Sequence, residues 1–338
     1  MIKKYTELDG VSSYENKVRN ALINEIKDHV TSYKVDNMGN LIAVKNAVNE
    51  ENPITVVLSA HMDEVGLIVT KITKEGMLKF DTVGGIDESI LISKKVRCGD
   101  LKGVIGITPV HLVSKEEREK TPQISDLFID IGATSEEEAL KYVMLGDLFA
   151  FDSDFVMFGN GKIKAKALDD RLGCIILAEI LKDTYPCNII CLFTVQEETG
   201  LRGAKAATFG IDADLAIVSE CTTAGDVTSA PEHMKVTKLK QGAALSIMDS
   251  SSIGDKETLA DLITASEKKG IKIQFKRAAT GGNDAGAIHT ANGGIKTASV
   301  SVPARYIHSP ISVIDVEDFE NAKNLIKEFL KGRGEINA

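Results

Sequence analysis

The chain has 338 residues, of which 43% are hydrophobic and 26% are charged. This length favours about two domains, and the composition is typical of globular proteins rather than disordered or fibrous ones. The formal net charge is -9 at pH 7, and no lysine or arginine block stands out, which argues against a nucleic-acid partner. The first ten residues are polar and no apolar run approaches the ~18 residues that cross a bilayer, so we expect a cytoplasmic protein with no membrane partner.

The chain contains five cysteines, an odd number, and no two of them form a CxxC pair. This pattern argues against a disulfide framework and against a zinc site made of thiolates. We therefore expect the cysteines to be small buried side chains in a reducing compartment.

The first part of the chain predicts a helix followed by a buried strand. Ser12 and Glu15 have the spacing of a capping box. They precede apolar residues at helical spacing, namely Val18, Leu22, Ile26 and Val30. The apolar run at 54–60 is typical of a strand that is buried on both faces of a mostly parallel sheet.

The same alternation of helix and strand returns in the second half of the chain. Residues 172–181 have helical spacing, and buried strands are predicted at 188–195, 215–218 and 297–302. Asp315 can cap a final helix. This alternation predicts an α/β fold in which helices sandwich a mixed, mostly parallel sheet.

A segment of different character separates these two parts. Between about 67 and 160, the helical periodicity gives way to short valine and isoleucine runs punctuated by glycine-containing turns. We predict that 67–160 form a small inserted β-rich, barrel-like domain. Residues 1–66 and 161–338 would then form one discontinuous α/β domain.

The sequence His61-Met62-Asp63-Glu64 directly follows the predicted strand at 54–60. Open α/β sheets bind ligands at the carboxyl ends of their strands, so His61 and Asp63 are candidates for a metal site. Being two residues apart on extended chain, they can point the same way, and Asp63 could orient a metal-bound His61. The motif alone is weak, because a polar turn after a strand can have the same sequence.

Two pairs of adjacent acidic residues also stand at the ends of predicted elements. Asp169 and Asp170 precede a helix, where helix capping is the alternative role. Glu197 and Glu198 follow the strand at 188–195, where a solvated loop is the alternative. Adjacent carboxylates at a buried strand end are costly unless a cation or a shared proton compensates them. Because the two side chains point in different directions, one could bind a metal while its neighbour faces a reacting water.

Glu220 and His308 follow later predicted strands and complete a possible ligand set. With His61, Asp169 and Glu198 they supply two imidazoles and three carboxylates, which suit zinc, cobalt or manganese better than magnesium or calcium. Five ligands on one ion would leave little room for a substrate. Two ions that share a bridging carboxylate would each keep an open position, which fits metal-assisted hydrolysis.

Five motifs surround these residues, namely His61-Met62-Asp63-Glu64-Val65-Gly66, Ala167-Leu168-Asp169-Asp170-Arg171, Gln196-Glu197-Glu198-Thr199-Gly200, Thr222-Thr223-Ala224-Gly225-Asp226 and Arg305-Tyr306-Ile307-His308-Ser309-Pro310. Together they resemble the tetrahedral (TET-type) family of dinuclear metallo-aminopeptidases. This family has glutamyl, leucyl and deblocking members and has sometimes been mislabelled as endoglucanases. The resemblance covers nearly the whole chain, including 126–133 in the inserted segment.

The resemblance implies a zinc-peptidase-like fold and a role for each metal ligand. Asp169 would bridge two divalent ions. His61 and Glu220 would bind one of these ions, and Glu198 and His308 would bind the other.

The resemblance also implies the catalytic groups, the substrate and the assembly. Glu197 would be the general base and proton shuttle, and Asp63 would orient His61 and tune the site. The implied activity is the release of N-terminal amino acids from peptides by a metal-activated water. The inserted domain would guide assembly into a homododecamer.

Two positions depart from the family pattern. Many relatives carry aspartate where Glu220 stands and threonine where Asn283 stands. The extra methylene of Glu220 could alter metal spacing or metal choice, and Asn283 leaves the local substrate contacts open.

Two other classes of function stay open at this point. A related metal-dependent deacylase or carboxypeptidase would use the same ligands, and an inactive metal-binding scaffold could retain them. The sequence indicates neither the preferred N-terminal residue nor the native metal.

Overall fold

A large mixed β-sheet with helices on both faces is formed by the two ends of the chain, and a closed β-barrel lies between them in the sequence. This architecture is that of a computed structural model. It describes residues 1–48, 50–114, 120–228, 230–277 and 279–334.

The strands are distributed between the sheet and the barrel. In chain order they are β1 (Ser32–Val35), β2 (Leu41–Lys45), β3 (Thr55–His61), β4 (Gly66–Ile72), β5 (Leu78–Val83), β6 (Lys95–Cys98), β7 (Leu101–Ile107), β8 (Leu127–Asp130), β9 (Leu148–Phe151), β10 (Val156–Phe158), β11 (Lys162–Ala165), β12 (Asn188–Thr194), β13 (Leu215–Thr223), β14 (Ala243–Ser246), β15 (Ile273–Phe275), β16 (Lys296–Arg305) and β17 (Ser312–Asp315).

The order of strands in the large sheet is β1-β2-β12-β3-β13-β16-β17-β11-β10, and β14 joins β16 and carries β15. The four central strands β12, β3, β13 and β16 are parallel to one another. Strands β2 and β17, which flank these four, pair antiparallel to them. The predicted α/β fold with a mixed sheet is therefore confirmed, and its parallel pairing is concentrated in the centre.

The helices cover the sheet and connect its strands. They are α1 (Ile2–Thr6), α2 (Asn16–Ile26), α3 (Glu136–Ala139), α4 (Leu168–Ile180), α5 (Arg202–Ala207), α6 (Lys256–Lys269), α7 (Ala285–Ile288) and α8 (Val316–Lys331). Short 3-10 turns occur at Glu88–Ile90, Val110–Leu112, Ile124–Asp126, Glu232–Met234, Ala291–Gly293 and Gly332–Gly334. Within the described ranges, none of these helices combines the length and the apolarity that a membrane span requires.

Strand β3 shows how the apolar runs of the sequence are used. Val56 and Leu58 pack into the core on the face covered by α2, α4 and α8. Val57 packs into the core on the other face, against α5 and α7. Burial on both faces explains why the run at 54–60 has no polar alternation. The carboxyl end of β3 is thereby held between two packed layers.

The predicted C-terminal helix is present as α8. The side chain of Asp315 caps it by accepting a hydrogen bond from the Glu317 amide at 2.9 Å. Its buried face includes Phe319, Ala322, Ile326 and Phe329.

The predicted capping box ahead of α2 is wrong. The N-cap residue of this helix is Glu15, and its side chain makes no capping bond. Ser12 instead donates to the Asp63 side chain at 2.6 Å, and Glu15 accepts from the Gln196 amide at 3.2 Å. Val30 lies beyond the end of the helix at Ile26. Both polar residues therefore serve contacts that are distant in sequence.

The barrel closes in the order β4-β5-β8-β7-β6-β9 and has its own core, which includes Leu67, Phe80, Val96, Ile129 and Phe149. Its strands run from Gly66 to Phe151, whereas β10 pairs with β11 in the large sheet. The barrel-like insertion is thus observed. The domain boundaries at 66/67 and 160/161 stay a prediction.

All five cysteines are free thiols. Cys174, Cys187 and Cys191 are buried, as expected. Cys98 and Cys221 are half-buried, so the expectation of full burial is wrong for these two.

Candidate metal centre and active site

The candidate ligands gather at the carboxyl ends of the four central strands. His61 is the last residue of β3, and Glu198 follows the end of β12. Glu220 lies inside β13, which continues to Thr223 beside β16. His308 lies just beyond the end of β16. Because these strands are parallel, their carboxyl ends share one edge of the sheet, and this edge places the side chains together.

Asp169 reaches the same place from the start of α4. The N-cap position of α4 is Ala167, which has left-handed backbone angles, and both Asp169 and Asp170 depart from helical geometry. The Asp170 side chain accepts a hydrogen bond from the Gly173 amide at 3.0 Å. The capping role considered for this pair therefore belongs to Asp170. Asp169 is left to face the strand ends.

The two carboxylate oxygens of Asp169 face two different histidines. Its Oδ1 lies 3.4 Å from Nε2 of His61, and its Oδ2 lies 3.8 Å from Nε2 of His308. On one side, Nε2 of His61 lies 3.7 Å from Oε2 of Glu220. On the other, Nε2 of His308 lies 3.2 Å from Oε2 of Glu198. The structure thus brings all five predicted ligands together, in two groups that share Asp169.

Several buried oxygens in this cluster have no hydrogen-bond partner. They include Oδ1 of Asp169 and Oε1 of Glu220. Buried carboxylates without partners are strongly destabilising, and a bound cation is one means of compensation. Imidazole and carboxylate are ligands that zinc, cobalt and manganese accept. The residues present therefore fit divalent cations.

Three overlapping groups of ligand atoms, each within 4.8 Å, occur among the described residues of this cluster. The first consists of His61, Asp169 and Glu198, the second of His61, Asp170 and Glu220, and the third of Asp169, Asp170 and Cys221. Asp170 was not among the predicted ligands. Its Oδ2 atom is buried without a hydrogen-bond partner, whereas its Oδ1 accepts from the Gly173 amide. Asp170 therefore places a further carboxyl group next to the site, and burial raises the pKa of that group well above its usual range.

Burial controls the protonation of the acidic residues here. It raises the pKa of Glu198 and of Glu220 well above the usual range, and neighbouring aspartates add to the effect. Burial also raises the pKa of Glu197 to about 8. For His61, burial lowers the pKa, but Glu220, Asp169 and Asp63 outweigh it, so that the pKa is raised. The cluster is therefore an environment that favours positive charge.

Glu197 lies beside the ligands rather than among them. With His61, Asp169, Glu220 and His308, it lines a cavity of about 330 Å³. It belongs to none of the three ligand groups found among the described residues. Glu197 thus faces the space in which a substrate would meet the candidate ligands.

Asp63 holds His61 and the turn after β12 in one arrangement. Its Oδ1 lies 3.3 Å from Nδ1 of His61 and accepts from the Glu197 amide at 3.0 Å. Its Oδ2 accepts from the Glu198 amide at 3.2 Å and from the Ser12 hydroxyl at 2.6 Å. Burial alone would raise the pKa of Asp63, but these hydrogen bonds and the charge of His61 lower it. A charged Asp63 can therefore orient the ring of His61.

The family model of the M42 glutamyl aminopeptidases matches residues 39–325. The chain belongs to this family. The glutamyl aminopeptidase of Lactococcus lactis is 31% identical over 97% of this chain and 94% of its own length. The lysyl aminopeptidase of Pyrococcus furiosus is 30% identical over 98% of this chain and 96% of its own length.

A solved structure has the same fold as this M42 chain. It is that of the Pyrococcus horikoshii TET1 peptidase, which can assemble into a tetrahedron or a large octahedral shell. The two are 36% identical, with a TM-score of 0.85 over 97% of this chain and 98% of the other. The predicted resemblance to TET-type aminopeptidases and the predicted aminopeptidase function are confirmed.

Several supporting residues of this M42 peptidase were missed from the sequence. Asp284 is fully buried and accepts from the hydroxyls of Thr194 at 2.6 Å and Ser59 at 3.2 Å. Its charge contributes to the raised pKa of Glu197. Asp284 directly follows Asn283 in a glycine-rich segment. An acidic residue in such a segment is the sequence feature that could have indicated it. The Asn283 side chain accepts from the Ala285 amide at 2.9 Å, so it shapes a turn.

A buried ion cluster fixes the two segments that carry His61 and Asp169. Nζ of Lys166 lies 2.6 Å from Oε1 of Glu64, and both side chains are buried. Arg171 donates to Glu64 at 3.3 Å and to the carbonyl of Met62 at 2.9 Å. These contacts join the chain after β3 to the start of α4. They restrict movement of His61 relative to Asp169.

Proposed function

We propose that this M42 aminopeptidase works with two divalent metal ions, namely zinc, cobalt or manganese. In this proposal His61 and Glu220 bind one ion, Glu198 and His308 bind the other, and Asp169 bridges them. The observation that carries the proposal is the position of Asp169, whose two oxygens face the two histidines at 3.4 and 3.8 Å. The unpartnered buried oxygens of Asp169 and Glu220 give it further support.

Bound divalent ions supply Lewis acidity that polarises a scissile carbonyl and lowers the pKa of a water molecule. The protein must then move a proton from the attacking water to the leaving amine. We assign the transfer of this proton to the Glu197 carboxylate, which lines the cavity beside the candidate ligands and belongs to none of the ligand groups found among the described residues. A carboxylate within hydrogen-bond reach of the attacking water can accept its proton and release it to the leaving amine. Asp63 acts as a positioning residue through His61 and the Glu197 amide.

Space beside the site supports a peptide substrate. A cavity of about 750 Å³ borders His308 and extends to Lys94, Asp154 and Lys164. It adjoins the barrel strand β6, which begins at Lys95. The remainder of a peptide could occupy this cavity while its N-terminal residue lies in the smaller one.

The test is a panel of amino-acid p-nitroanilides, assayed after chelation and again after addition of zinc, cobalt or manganese. Metal content is measured in parallel by elemental analysis. We expect chelation to abolish hydrolysis, and two ions per chain to restore it. Full activity with one ion per chain would contradict the dinuclear proposal.

Further substrates, assayed with the same metal-loaded protein, distinguish an aminopeptidase from the alternative functions. A deacylase would cleave N-acyl amino acids, a carboxypeptidase would release C-terminal residues, and an inactive scaffold would cleave none of the substrates. Membership of the M42 family favours the aminopeptidase.

We also propose self-association into a homododecamer through the inserted barrel segment. The described part of this segment exposes large apolar side chains, including Leu140, Tyr142, Met144 and Leu145. Clustered apolar side chains on a surface are typical of protein contacts. Light scattering on the eluting protein measures the mass, and a monomer at micromolar concentration would contradict this assembly. A cytoplasmic location stays a prediction.

A further inference from the structure

The N-terminal segment 9–15 connects the barrel to the chain that follows β3. Oδ1 of Asp9 lies 2.7 Å from Nη2 of Arg97, a residue of the barrel strand β6. The Gly10 amide donates to the Glu64 side chain at 3.0 Å, and the Glu64 amide donates to the Gly10 carbonyl at 3.0 Å. The segment is therefore fastened at its start, both to the barrel and to the chain that carries the candidate ligand of β3.

Glu15 ends this segment and reaches the turn after β12. Its side chain is buried, and its Oε1 accepts two hydrogen bonds, from the Ser13 amide at 2.8 Å and from the Gln196 amide at 3.2 Å. Gln196 directly precedes Glu197, the group to which we assign proton transfer. One oxygen of Glu15 thus contacts the backbone immediately before that group.

The backbone of Gln196 needs contacts that hold it in place. Its φ is 54°, in the left-handed region, which is unfavourable for a residue with a side chain and persists only where the surroundings fix it. Its carbonyl accepts from the Arg202 amide at 3.2 Å and from the Thr199 hydroxyl at 3.3 Å, both within the following turn. Glu15 holds the amide side, from a position 181 residues away in the chain.

Three consecutive amides of this turn donate to carboxylates. The Gln196 amide donates to Glu15, and the amides of Glu197 and Glu198 donate to Asp63. Asp63 also lies against the candidate ligand His61. Glu15 differs from Asp63, because its side chain makes no hydrogen bond or ion pair with a candidate ligand in the described part of the chain. Its effect on the site is therefore confined to the turn.

We propose that Glu15 is a positioning residue for Glu197. It acts through the Gln196 amide and keeps the turn in the conformation in which the Glu197 side chain lines the cavity. The proposal rests on the function proposed for Glu197. Displacement of a reacting group by about 1 Å can lower turnover by about a hundredfold, so the loss of this contact impairs catalysis. Glu15 itself does not line the cavity.

The geometry assigns this role to an acceptor oxygen at the right distance rather than to negative charge. Both amides donate to the same oxygen of Glu15, so a glutamine side chain keeps an acceptor of the same length in its carbonyl oxygen. An aspartate keeps the charge but is one methylene shorter, which draws the oxygen away from the Gln196 amide. A methionine has a similar length and no oxygen. These three side chains separate charge, length and acceptor.

The experiment compares Glu15→Gln, Glu15→Asp and Glu15→Met with wild type, all metal-loaded, on the amino-acid p-nitroanilide that wild type cleaves fastest. We expect Glu15→Met to lower kcat by about tenfold to a hundredfold, the effect of a misplaced reacting group. KM and metal content should change little, because the candidate ligands keep their own contacts. Glu15→Asp should also lower kcat, whereas Glu15→Gln should stay close to wild type.

A double variant tests whether Glu15 acts through Glu197. Residues that act as a unit have effects that do not add. Glu15→Met should therefore lower the residual turnover of Glu197→Gln much less than it lowers that of wild type. A merely structural role of Glu15 would lower both by the same factor.

Asp318→Leu is the matched control. Asp318 is also a buried carboxylate that accepts two backbone amides from a distant segment, those of Lys240 and Gly242, each at 2.7 Å. These amides precede β14 and not the turn after β12. Asp318→Leu should therefore lower the melting temperature and keep the wild-type kcat, whereas Glu15→Met should lower both. Melting and metal content are measured for every variant.

Several results would overturn the proposal. They are a wild-type kcat in Glu15→Met, an equal fall of kcat in Glu15→Met and Asp318→Leu, and additive effects in the double variant. If Glu15→Met does not fold, the other two variants decide, and a kcat in Glu15→Asp at or above that of Glu15→Gln contradicts the role of the acceptor. In these cases Glu197 keeps its proposed function. Near wild-type turnover in Glu197→Gln, with metal content confirmed, would instead remove that function, and the role of Glu15 with it.

Discussion

Glu197 and Glu198 are neighbours in the chain but meet different partners. Both of their amides donate to the Asp63 carboxylate, at 3.0 and 3.2 Å. The Glu198 side chain lies 3.2 Å from His308, whereas Glu197 lines the cavity. Because the Asp63 carboxylate holds both amides, the turn after β12 keeps the Glu198 side chain beside His308 and the Glu197 side chain at the cavity.

The first prediction concerns Glu197→Gln. This change removes a proton acceptor but keeps the size of the side chain, so we expect metal binding to be retained. Turnover should fall by ~10² to 10⁴, the range for a group that transfers a proton in the rate-limiting step. Steady-state kinetics and elemental analysis measure the two effects.

Glu198→Gln is the matched control for this prediction. It removes a proposed ligand, so the metal content itself should fall together with turnover. Near wild-type turnover in Glu197→Gln, with metal content confirmed, would exclude the proposed role.

The second prediction concerns Ser12→Ala. Ser12 donates to Asp63 at 2.6 Å in a buried setting, and its loss leaves that carboxylate oxygen with one fewer donor. We expect a loss of stability of about 1–3 kcal/mol and a lower kcat with little change in KM. Thermal denaturation and kinetics measure these effects. Thr264→Ala removes an exposed hydroxyl that bonds only within its own helix, and should change neither quantity much.

The candidate ligands could be identified from the sequence, but the residues that support them could not. His61 and Glu198 follow apolar runs, so the sequence indicates that they lie at the ends of strands. The partners of Ser12 and Glu15 are Asp63 and Gln196, far away along the chain. From the sequence alone, Ser12 and Glu15 fit a capping box equally well. Only the folded structure shows that they contact Asp63 and Gln196 instead.

The first turn of α4 packs closely against strand β13 at Gly173. An added Cβ at Gly173 would lie 2.2 Å from Oδ2 of Asp170 and 2.6 Å from the carbonyl of Ser219. Real Cβ atoms do not make such contacts, so this position requires glycine. The first turn of α4 can therefore lie directly on β13, which brings Asp169 close to Glu220.

The third prediction follows from this packing. We expect Gly173→Ala to destabilise the protein by roughly 1–3 kcal/mol, the cost of overpacking. It should also weaken metal binding, because α4 must move and carry Asp169 with it. Thermal denaturation and a metal titration test both effects. Gly332→Ala is the control, since nothing lies within 4 Å of a Cβ there; an equal loss in both variants would contradict the packing explanation.

The elements themselves were largely predictable, while their lengths were less so. Strand β13 was expected at 215–218 but extends to Thr223. Its extra residues pair with β16, and this pairing depends on a neighbour that is distant in sequence. Glu220 therefore lies within a strand, not after one. Strand β10, which lies within the range 67–160, pairs with β11 in the large sheet.

At the scale of the whole molecule, the site links distant parts of the fold. The proposed ligands come from β3, α4, β13 and the segments after β12 and β16. Cations bound there would join these strands and segments to the start of α4. The sequence indicated an insertion within an α/β domain, but not how the barrel approaches the site, because that depends on contacts between separate parts of the chain.

The fourth prediction is that metal ions stabilise the folded protein. Ligands that bind only the folded state add about 2.7 kcal/mol when present at a hundredfold excess over their Kd. We expect a chelator to lower the melting temperature and re-addition of metal to restore it. Glu197→Gln should respond like wild type, whereas His308→Ala should respond less. A melting temperature that does not change on chelation, with metal loss verified, would contradict this prediction.

The order of the proposed ligands along the chain has a consequence for biosynthesis. His61 leaves the ribosome well before His308. Until His308 emerges, one of the two proposed ion positions lacks its imidazole, and the strand that leads to His308 has not joined the sheet. Under the proposed ligand assignment, a nascent chain cannot cleave peptides until His308 has been synthesised and has reached the other ligands.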